Sequence, residues 1–266
     1  MGRLDQKVAI ITGAANGIGA ATASLLASEG AVVVVADIDA EGAKHHAETI
    51  TSAGGTAMAV QVDIADHPSI RDMVATTVSA FGGIDILHNN ASAMNLTPDD
   101  VDILGIDLEV WDATIKTNLG GTMLCSREAI PHILKRGGGS IVNTASGQAL
   151  GGDTGRTAYG TSKAAIIQLS RAIATQYGRD GLRCNTVCPG LTLSDRLKKK
   201  LDAPTLERLL KHQLLTRPGQ PEDIANLVLF LVSDAGSFIT GQLISCDGGA
   251  HAHLPSYAEG GNITKS

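Results

Sequence analysis

The 266-residue sequence is poor in aromatic side chains, in cysteine and in positive charge. Phe, Trp and Tyr together make up 3% of the residues, so the core must be built mainly from aliphatic side chains. The net charge of −6 argues against a general nucleic-acid or anionic-membrane binder, and we expect neither as a partner. The one basic cluster, Lys198-Lys199-Lys200, is typical of the solvated face of a helix.

The four cysteines do not form a metal-binding pattern. Cys184 and Cys188 are separated by three residues, but the sequence has no second pair and no histidine ligand near them. We therefore expect buried, reduced thiols here and at Cys125 and Cys246. The stretch His251-Ala252-His253 occurs once, in a Gly/Ala-rich tail, and we predict no metal site.

No stretch is long and apolar enough to span a bilayer, and the N-terminus runs directly into a strand without a signal-peptide pattern. A cytoplasmic location is therefore expected. With 43% hydrophobic and 18% charged residues, the chain suits one large α/β domain. We predict that this domain covers residues 1–250, and that the patternless tail, 251–266, could reach a neighbouring subunit.

Short apolar runs alternate with helical patterns along the whole domain. Such an alternation predicts a doubly wound, Rossmann-type parallel sheet of seven strands with helices on both faces. The predicted strands are 8–12, 31–36, 56–62, 84–88, 140–145, 182–187 and 242–246. The predicted helices are 20–28, 41–53, 68–81, 110–136, 157–178, 194–215 and 221–233.

A glycine-rich turn, Gly13-Ala14-Ala15-Asn16-Gly17-Ile18-Gly19, joins the first strand to the first helix, and the second strand ends in Asp37. The glycines let the backbone approach a pyrophosphate, and the N-terminus of the helix supplies N–H groups to it. Asp37 is placed to accept hydrogen bonds from an adenosine ribose and to repel a 2′-phosphate. Although the spacing Gly-x-x-x-Gly-x-Gly also fits a structural turn, this context favours nucleotide binding.

Polar residues also follow the third and fourth strands. In Asp63-Ile64 the acid could meet an adenine amino group, or it could be an N-cap or turn residue, and the sequence favours neither. Asn89 and Asn90 suit a turn and can also tie neighbouring strands together beside a cofactor. The acidic, irregular stretch 93–109 is predicted to be a surface loop at the substrate side of the sheet.

The segment Tyr159-Gly160-Thr161-Ser162-Lys163 lies within a helical pattern, so Tyr159 and Lys163 share one face about one turn apart. A lysine ammonium there favours the phenolate, so it is expected to lower the tyrosine pKa from its usual value of about 10. A tyrosine tuned in this way can exchange a proton with an alcohol or carbonyl oxygen. Taken alone, the pair also fits an ordinary solvated helix face.

Taken together, these segments resemble the short-chain dehydrogenase/reductase family over residues 4–250. The matching residues are Thr12 to Gly19, Asn89-Asn90-Ala91, Asn118, Ser146, Tyr159 to Lys163, Pro189-Gly190 and Asp247-Gly248-Gly249. Ser92 departs from the family pattern, which usually has glycine there. The segment between Asn90 and Trp111 is a few residues longer than usual, which bears on substrate choice.

The resemblance implies an NAD-dependent oxidoreductase that interconverts a secondary alcohol and its ketone. Tyr159 would be the general acid/base, Lys163 would lower its pKa and bind the nicotinamide ribose, and Ser146 would hold the substrate oxygen. Asn118 would maintain a water path to Lys163. The implied cofactor contacts are Gly13, Asn16, Gly17, Ile18, Gly19, Asp37, Asp63, Ile64, Asn90, Ala91, Tyr159, Lys163, Pro189, Gly190 and Thr192.

Several of these positions have simpler explanations. Asn118 could face water, and Ser146 and Thr192 could be turn residues. NAD is expected rather than NADP because of Asp37 and because no basic residue would welcome a 2′-phosphate. The positions at which such a basic residue would be expected are Ala14, Ala15, Asn16 and Ile38.

Two other classes of function fit the same fold. The first is a non-redox enzyme, such as an epimerase or dehydratase, although no second substrate domain is present. The second is a nucleotide-sensing protein without catalysis, although Ser146, Tyr159 and Lys163 are all retained.

Segments 93–108 and 191–215 are expected to line the pocket, and leucines in the latter favour either an apolar substrate face or core packing. Family members are usually homotetramers, and the apolar segment 224–232 fits a subunit contact or burial within the subunit.

Overall fold

A seven-stranded parallel sheet forms the centre of a computed structural model that describes residues 2–199 and 201–258. The strands are β1 (Val8–Thr12), β2 (Val32–Asp37), β3 (Thr56–Gln61), β4 (Ile86–Asn89), β5 (Gly139–Thr144), β6 (Leu182–Pro189) and β7 (Leu243–Cys246). Their order is β3-β2-β1-β4-β5-β6-β7, and every pairing is parallel. The predicted doubly wound fold is therefore confirmed, and the order of the strands reverses between β1 and β4, where α/β proteins bind ligands.

The helices of the described chain lie between these strands. They are α1 (Gly17–Ser28), α2 (Ala40–Ser52), α3 (His67–Phe81), α4 (Leu108–Ile115), α5 (Gly121–Lys135), α6 (Thr157–Tyr177), α7 (Asp195–Lys198), α8 (Ala203–Leu210) and α9 (Pro221–Val232). None of them is both long enough and apolar enough to cross a membrane.

Alternate residues of each central strand pack on opposite faces of the sheet, as the two-residue period of a strand requires. Ile11 and Val33 belong to a core cluster that includes side chains of α1, α2 and α9. Ile10 and Val34 belong to a second cluster, with α3, α5 and α6. The buried members of both clusters are aliphatic, methionine or cysteine side chains. The buried core is therefore filled without aromatic residues, which are few in this sequence.

The predicted helix 110–136 is interrupted. A π-helical turn, Lys116–Gly120, separates α4 from α5 and carries Asn118. At Gly121 a Cβ atom would lie only 2.6 Å from the carbonyl oxygen of Ile64, so the backbones approach closely there. The single continuous helix predicted for 110–136 made no allowance for the extra residue that a π turn holds.

The predicted helix 194–215 is also wrong in its extent. Two short helices, α7 and α8, replace it, and Lys200 of the lysine run lies outside the described residues. Asp202 caps α8 by accepting a hydrogen bond from the Thr205 amide at 2.9 Å, and Pro204 stands in the first turn. This acid–proline pattern starts a new helix, a signal that the leucine spacing obscured.

All four cysteines are unpaired. Cys125, Cys184 and Cys188 are buried as predicted, whereas Cys246 is half-buried. Burial raises the pKa of the Cys125 and Cys184 thiols to about 12, which makes them inert packing groups. Within residues 2–199 and 201–258, no group of three or more His, Cys, Asp or Glu side chains is placed to hold a metal ion.

Candidate active site

The glycine-rich turn after β1 is held in a conformation that only glycine adopts easily. Gly13 and Gly17 have φ angles of 65° and 57°, in the left-handed region. A Cβ atom at Gly19 would overlap the carbonyl oxygen of Gly13, so this residue must also be glycine. The exposed N-cap residue Asn16 makes no capping side-chain hydrogen bond with the described chain, so the N-terminus of α1 has no protein cap.

Asp37 ends β2 and is buried beside this turn. Its Oδ2 accepts a hydrogen bond from the Ala15 amide at 2.9 Å, and its Oδ1 accepts one from the Asp39 amide at 3.0 Å. The carboxylate therefore attaches the turn to β2. Each of its oxygens has a second lone pair with which it can accept another hydrogen bond.

The two asparagines after β4 connect the halves of the sheet. Asn90 Nδ2 donates to the carbonyl oxygens of Thr12 and Gly13, both at 3.1 Å. The Ala91 amide donates to Thr12 Oγ1 at 3.2 Å. Asn89 is buried and donates from Nδ2 to Asn143 on β5 at 2.8 Å. These contacts fix the crevice between β1 and β4 and confirm the expected tie between strands.

Asp63 and Ile64 follow β3. The Asp63 carboxylate accepts a hydrogen bond from the Ala65 amide at 2.8 Å, which is the geometry of a turn residue. Ile64 is buried and packs beside Gly121. Of the two alternatives for Asp63, the turn accounts for the contact that it makes in the described chain.

Ser146 and Tyr159 meet at the carboxyl edge of the sheet. Ser146 follows β5 after Ala145, and its hydroxyl lies beside the phenol of Tyr159, the third residue of α6. Lys163, one turn further along α6, is buried and places Nζ 5.7 Å from the centroid of the tyrosine ring. The Lys163 ammonium donates to the carbonyl oxygen of Thr144 at 2.9 Å.

The pKa of Tyr159 differs from the expectation. Burial raises it, and the nearby Ser146 hydroxyl opposes this shift only in part. The expected lowering by Lys163 is therefore wrong for this arrangement, because desolvation of the phenol outweighs the favourable interactions. Burial also lowers the pKa of Lys163 to about 8, since the ammonium loses hydration while it is directed at a neutral carbonyl group.

Asn118 does not face water. It is fully buried, and its Oδ1 accepts hydrogen bonds from the Ala93 amide at 2.8 Å and from Ser92 Oγ at 3.1 Å. Its Nδ2 donates to Ser162 Oγ at 3.0 Å, and this hydroxyl donates to the carbonyl oxygen of Tyr159 at 2.7 Å. Asn118 thus connects the loop after β4 to α6, and the unusual Ser92 takes part in this connection.

The carboxyl end of β6 forms the opposite wall. Gly190 lies so close to β7 that a Cβ atom would come within 2.6 Å of Asp247 Cα. Thr192 donates to the carbonyl oxygen of Gly190 at 3.2 Å and forms an isolated bridge with Gly219, as a turn residue would. Leu193 is buried, whereas the later leucines of this segment are half-buried or exposed. These are Leu197, Leu201, Leu206, Leu209, Leu210, Leu214 and Leu215.

Three side chains near the site were not found from the sequence. His88 is buried against Thr144, Asp100 contacts the start of α6, and the His251 ring, bonded to Asp247 at 2.8 Å, packs against Gly147. The contacts of His88 with Thr144, of Asp100 with α6 and of His251 with Gly147 join residues far apart in the chain, so only the structure reveals them. Asp247 and His251 are four residues apart.

The crevice at the β1–β4 switch point fits a dinucleotide. Gly19 lets the start of α1 pack closely against Gly13 and Asn90, no side chain of the described chain caps the N-terminus of α1, and Asp37 lies beside Ala15 of the same turn. A sheet of this order with such a turn, and with Ser146 and Tyr159 beside it, defines a Rossmann-type α/β protein.

Comparison with known proteins agrees with this class. The family model described as enoyl-(acyl carrier protein) reductase matches residues 13–251. The chain belongs to the short-chain dehydrogenase/reductase family of oxidoreductases, as the sequence motifs predicted.

Two relatives and one solved structure illustrate the similarity. The chain is 53% identical over 262 residues to a probable short-chain type dehydrogenase/reductase of Bradyrhizobium diazoefficiens, covering 98% of this chain and 93% of the relative. It is 38% identical over 250 residues to meso-2,3-butanediol dehydrogenase of Serratia marcescens, covering 94% and 96%. A 7α-hydroxysteroid dehydrogenase complexed with NADH and 7-oxoglycochenodeoxycholic acid superposes with a TM-score of 0.88 at 36% identity, covering 93% and 95%.

Proposed function

We propose that this protein is an NAD-dependent oxidoreductase that interconverts a secondary alcohol and its ketone. The observation that carries the proposal is the meeting of the Ser146 and Tyr159 side chains at the carboxyl edge of the sheet, with Lys163 one turn away. The partner is a small alcohol or ketone, not a nucleic acid or a membrane. The dehydrogenases similar to this chain support the reaction class.

The protein's own groups handle the proton and the substrate oxygen. NAD, when bound, accepts or supplies the hydride. Tyr159 gives or takes the proton at its phenolic oxygen, and Ser146 donates a hydrogen bond to the oxygen on which charge develops. Lys163 supplies a buried positive charge beside the ring, and Asn118 holds the π turn and α6 in register.

The cofactor would occupy the crevice at the switch point. Gly13, Asn16, Gly17, Ile18 and Gly19 would hold the pyrophosphate at the N-terminus of α1. Asp37 would accept hydrogen bonds from the adenosine ribose, with Asp63 and Ile64 at the adenine and Asn90 and Ala91 beside the second ribose. The remaining contacts, at the nicotinamide end, are Tyr159, Lys163, Pro189, Gly190 and Thr192.

The preference for NAD rests on Asp37. A buried carboxylate at the end of β2 repels the 2′-phosphate of NADP, and Ala15 and Ile38 offer no compensating positive charge. The NADH in the similar hydroxysteroid dehydrogenase supports this choice. We expect kcat/KM with NAD to exceed that with NADP by about tenfold or more, the equivalent of one charge-assisted hydrogen bond. Faster turnover with NADP would contradict the assignment.

Half-buried and exposed leucines in 191–215 support an apolar alcohol as the substrate. A panel of cyclic and steroid-like alcohols, aliphatic alcohols and diols, and sugars tests this, with NADH formation followed at 340 nm. We expect turnover with the apolar members and a loss of about 10²–10⁴-fold in Tyr159→Phe, because the acid/base group is removed. Tyr177→Phe, on the far end of the same helix, is the matched control and should keep full activity.

The same assay separates the other classes of function. A substrate that is converted without net change in NADH would indicate an epimerase or dehydratase. NADH binding without conversion of any compound would indicate a nucleotide sensor. Full activity in Tyr159→Phe would refute the proposed role of the tyrosine even if the reaction class were right.

We further propose a homotetramer that works in the cytoplasm, where its unpaired thiols stay reduced. Most of the apolar segment 224–232 is buried within the subunit, but Phe230 remains 39% exposed and Phe238, before the edge strand β7, is fully exposed. These rings beside an unpaired sheet edge suit a contact with a second copy. Light scattering should give four times the monomer mass, and a monomeric mass would refute the assembly.

A further inference from the structure

Asp100 is a buried acid in an acidic loop whose other acidic side chains are exposed. Its side chain lies in the irregular segment between β4 and α4, but only 3% of the residue is exposed. Oδ1 accepts a hydrogen bond from the Ala158 amide at 2.9 Å, and Oδ2 accepts one from the Tyr159 amide at 2.7 Å. The carboxylate therefore binds the backbone of the tyrosine on which the proposed chemistry depends.

The catalytic helix has no cap from its own N-terminal residues. The N-cap position is Arg156, which has a φ angle of 59° and makes no capping side-chain hydrogen bond within the described chain. Free amides at the start of a helix need acceptors, and a carboxylate is favoured there by the helix dipole. Asp100, 59 positions before Tyr159, provides this cap, and its own carbonyl oxygen accepts the Arg156 amide at 2.7 Å.

The loop that carries Asp100 is attached to α6 at two places. At one end, Asn118 holds Ala93 and at the same time donates to Ser162 on α6. At the other end, the Thr157 hydroxyl donates to the carbonyl oxygen of Val101 at 2.7 Å, beside the Asp100 contacts. Segment 92–101, on the substrate side of the sheet, and the first turns of α6 are thereby joined into one unit.

We propose that Asp100 is a positioning residue that fixes the backbone of Tyr159 and couples segment 92–101 to the catalytic helix. The inference rests on the proposed function for its kinetic consequence. Asp100 does not touch the reacting atoms, and it acts through the Ala158 and Tyr159 amides. Its two bonds are charge-assisted and buried, so their loss lets the tyrosine move relative to Ser146.

The kinetic test compares Asp100→Ala and Asp100→Asn with the wild-type enzyme, using NAD and the best alcohol from the panel. A shift of about 1 Å at a catalytic group can cost about 100-fold, so we expect kcat to fall about 10- to 100-fold in Asp100→Ala. The asparagine keeps the shape and one acceptor oxygen and should recover part of that loss. The Kd for NADH should change much less than kcat, because Asp100 bonds the start of α6 and not the glycine-rich turn or Asp37.

Asp66→Asn is the matched control. Asp66 also caps a helix, accepting the Ser69 amide at 3.1 Å, but it lies at the start of α3 on the surface. This variant should lower thermal stability slightly and leave kcat unchanged. An unchanged kcat in both Asp100 variants, or an equal loss in Asp66→Asn, would overturn the positioning role.

A second measurement does not depend on catalysis. Amide hydrogen exchange in the peptide covering 157–163 should be faster in Asp100→Asn than in the wild-type protein, with no change in the Gly19 region. Unchanged exchange would overturn the proposal even if the alanine variant failed to fold. If the wild-type protein turned over no alcohol, the proposed function would fail, and the exchange result alone would decide the role of Asp100.

Discussion

The proposed cofactor crevice and the proposed catalytic cluster, which consists of Asn118, Ser146, Tyr159 and Lys163, lie side by side but are built differently. The shape of the crevice depends mainly on backbone conformation, because Gly13, Gly17 and Gly19 determine the path of the turn. Asp37, 22 positions after Ala15, accepts a hydrogen bond from the Ala15 amide and so holds the turn in place. The catalytic cluster depends on buried polar side chains from several distant segments. A local motif therefore specifies the crevice, whereas tertiary contacts specify the catalytic cluster.

The two regions also differ in their electrostatics. The crevice presents backbone amides and one carboxylate, whereas the cluster buries titratable groups among neutral partners. Burial raises the pKa of Tyr159, lowers that of Lys163 to about 8, and lowers that of His88 to about 3. His88 links the two regions. It lies on β4, beside the point where the strand order reverses, and its Nε2 forms a hydrogen bond of 2.9 Å with Oγ1 of Thr144, the residue whose carbonyl oxygen Lys163 contacts.

The strongest test of the comparison is a change in the turn itself. Gly19→Ala should abolish measurable NADH binding and lower stability by about 1–3 kcal/mol, because its Cβ overlaps the carbonyl oxygen of Gly13. Gly178→Ala, where a Cβ meets nothing within 4 Å, is the control and should bind normally. Fluorescence titration with NADH measures both. Normal binding by Gly19→Ala would show that the turn does not specify the crevice.

A change in the catalytic cluster should separate chemistry from binding. Ser146→Ala should lower kcat by about 10²–10³-fold, because it removes a donor to the substrate oxygen, while the Kd for NADH stays the same. Thr161→Ala is the control, since within the described chain this exposed hydroxyl donates a hydrogen bond only to the Thr157 carbonyl oxygen, at 2.7 Å. A parallel loss of NADH affinity in Ser146→Ala would show that the two regions are not independent.

The smallest expected effect concerns His88 and pH. Burial, together with the charge of Lys163, holds the pKa of His88 at about 3 in the folded protein, against about 6.5 when unfolded. The unfolded chain therefore binds more protons between these values, so the stabilising contribution is present above pH 6.5 and is lost as pH falls toward 3. Between pH 7 and pH 5 this loss amounts to about 2 kcal/mol.

Urea unfolding at the two pH values measures that loss. His88→Asn, which cannot titrate, should lose about 2 kcal/mol less than the wild-type protein over the same interval. His45→Asn, at an exposed position on α2, is the control. An identical pH dependence in His88→Asn and wild type would show that the histidine is not held neutral by burial.

Much of the fold could be predicted because strand and helix periods are local properties. The seven strands lie within two residues of their predicted bounds, since each is a short apolar run ended by turn residues. The π turn at Asn118 was missed because a continuous helix was predicted over 110–136, with no allowance for a turn that holds an extra residue. The break before α8 was missed although Asp202 and Pro204 signal it.

Three features could be predicted from the sequence because each depends on residues close together in the chain. They are the parallel sheet, the glycine-rich turn and the position of Tyr159 and Lys163 on one face of a helix. Only the tertiary structure decided the direction of the tyrosine pKa shift, the buried state of Asn118 and the capping of α6 by Asp100. Desolvation depends on everything that surrounds a group, and a hydrogen bond between residues 59 positions apart leaves no trace in local spacing.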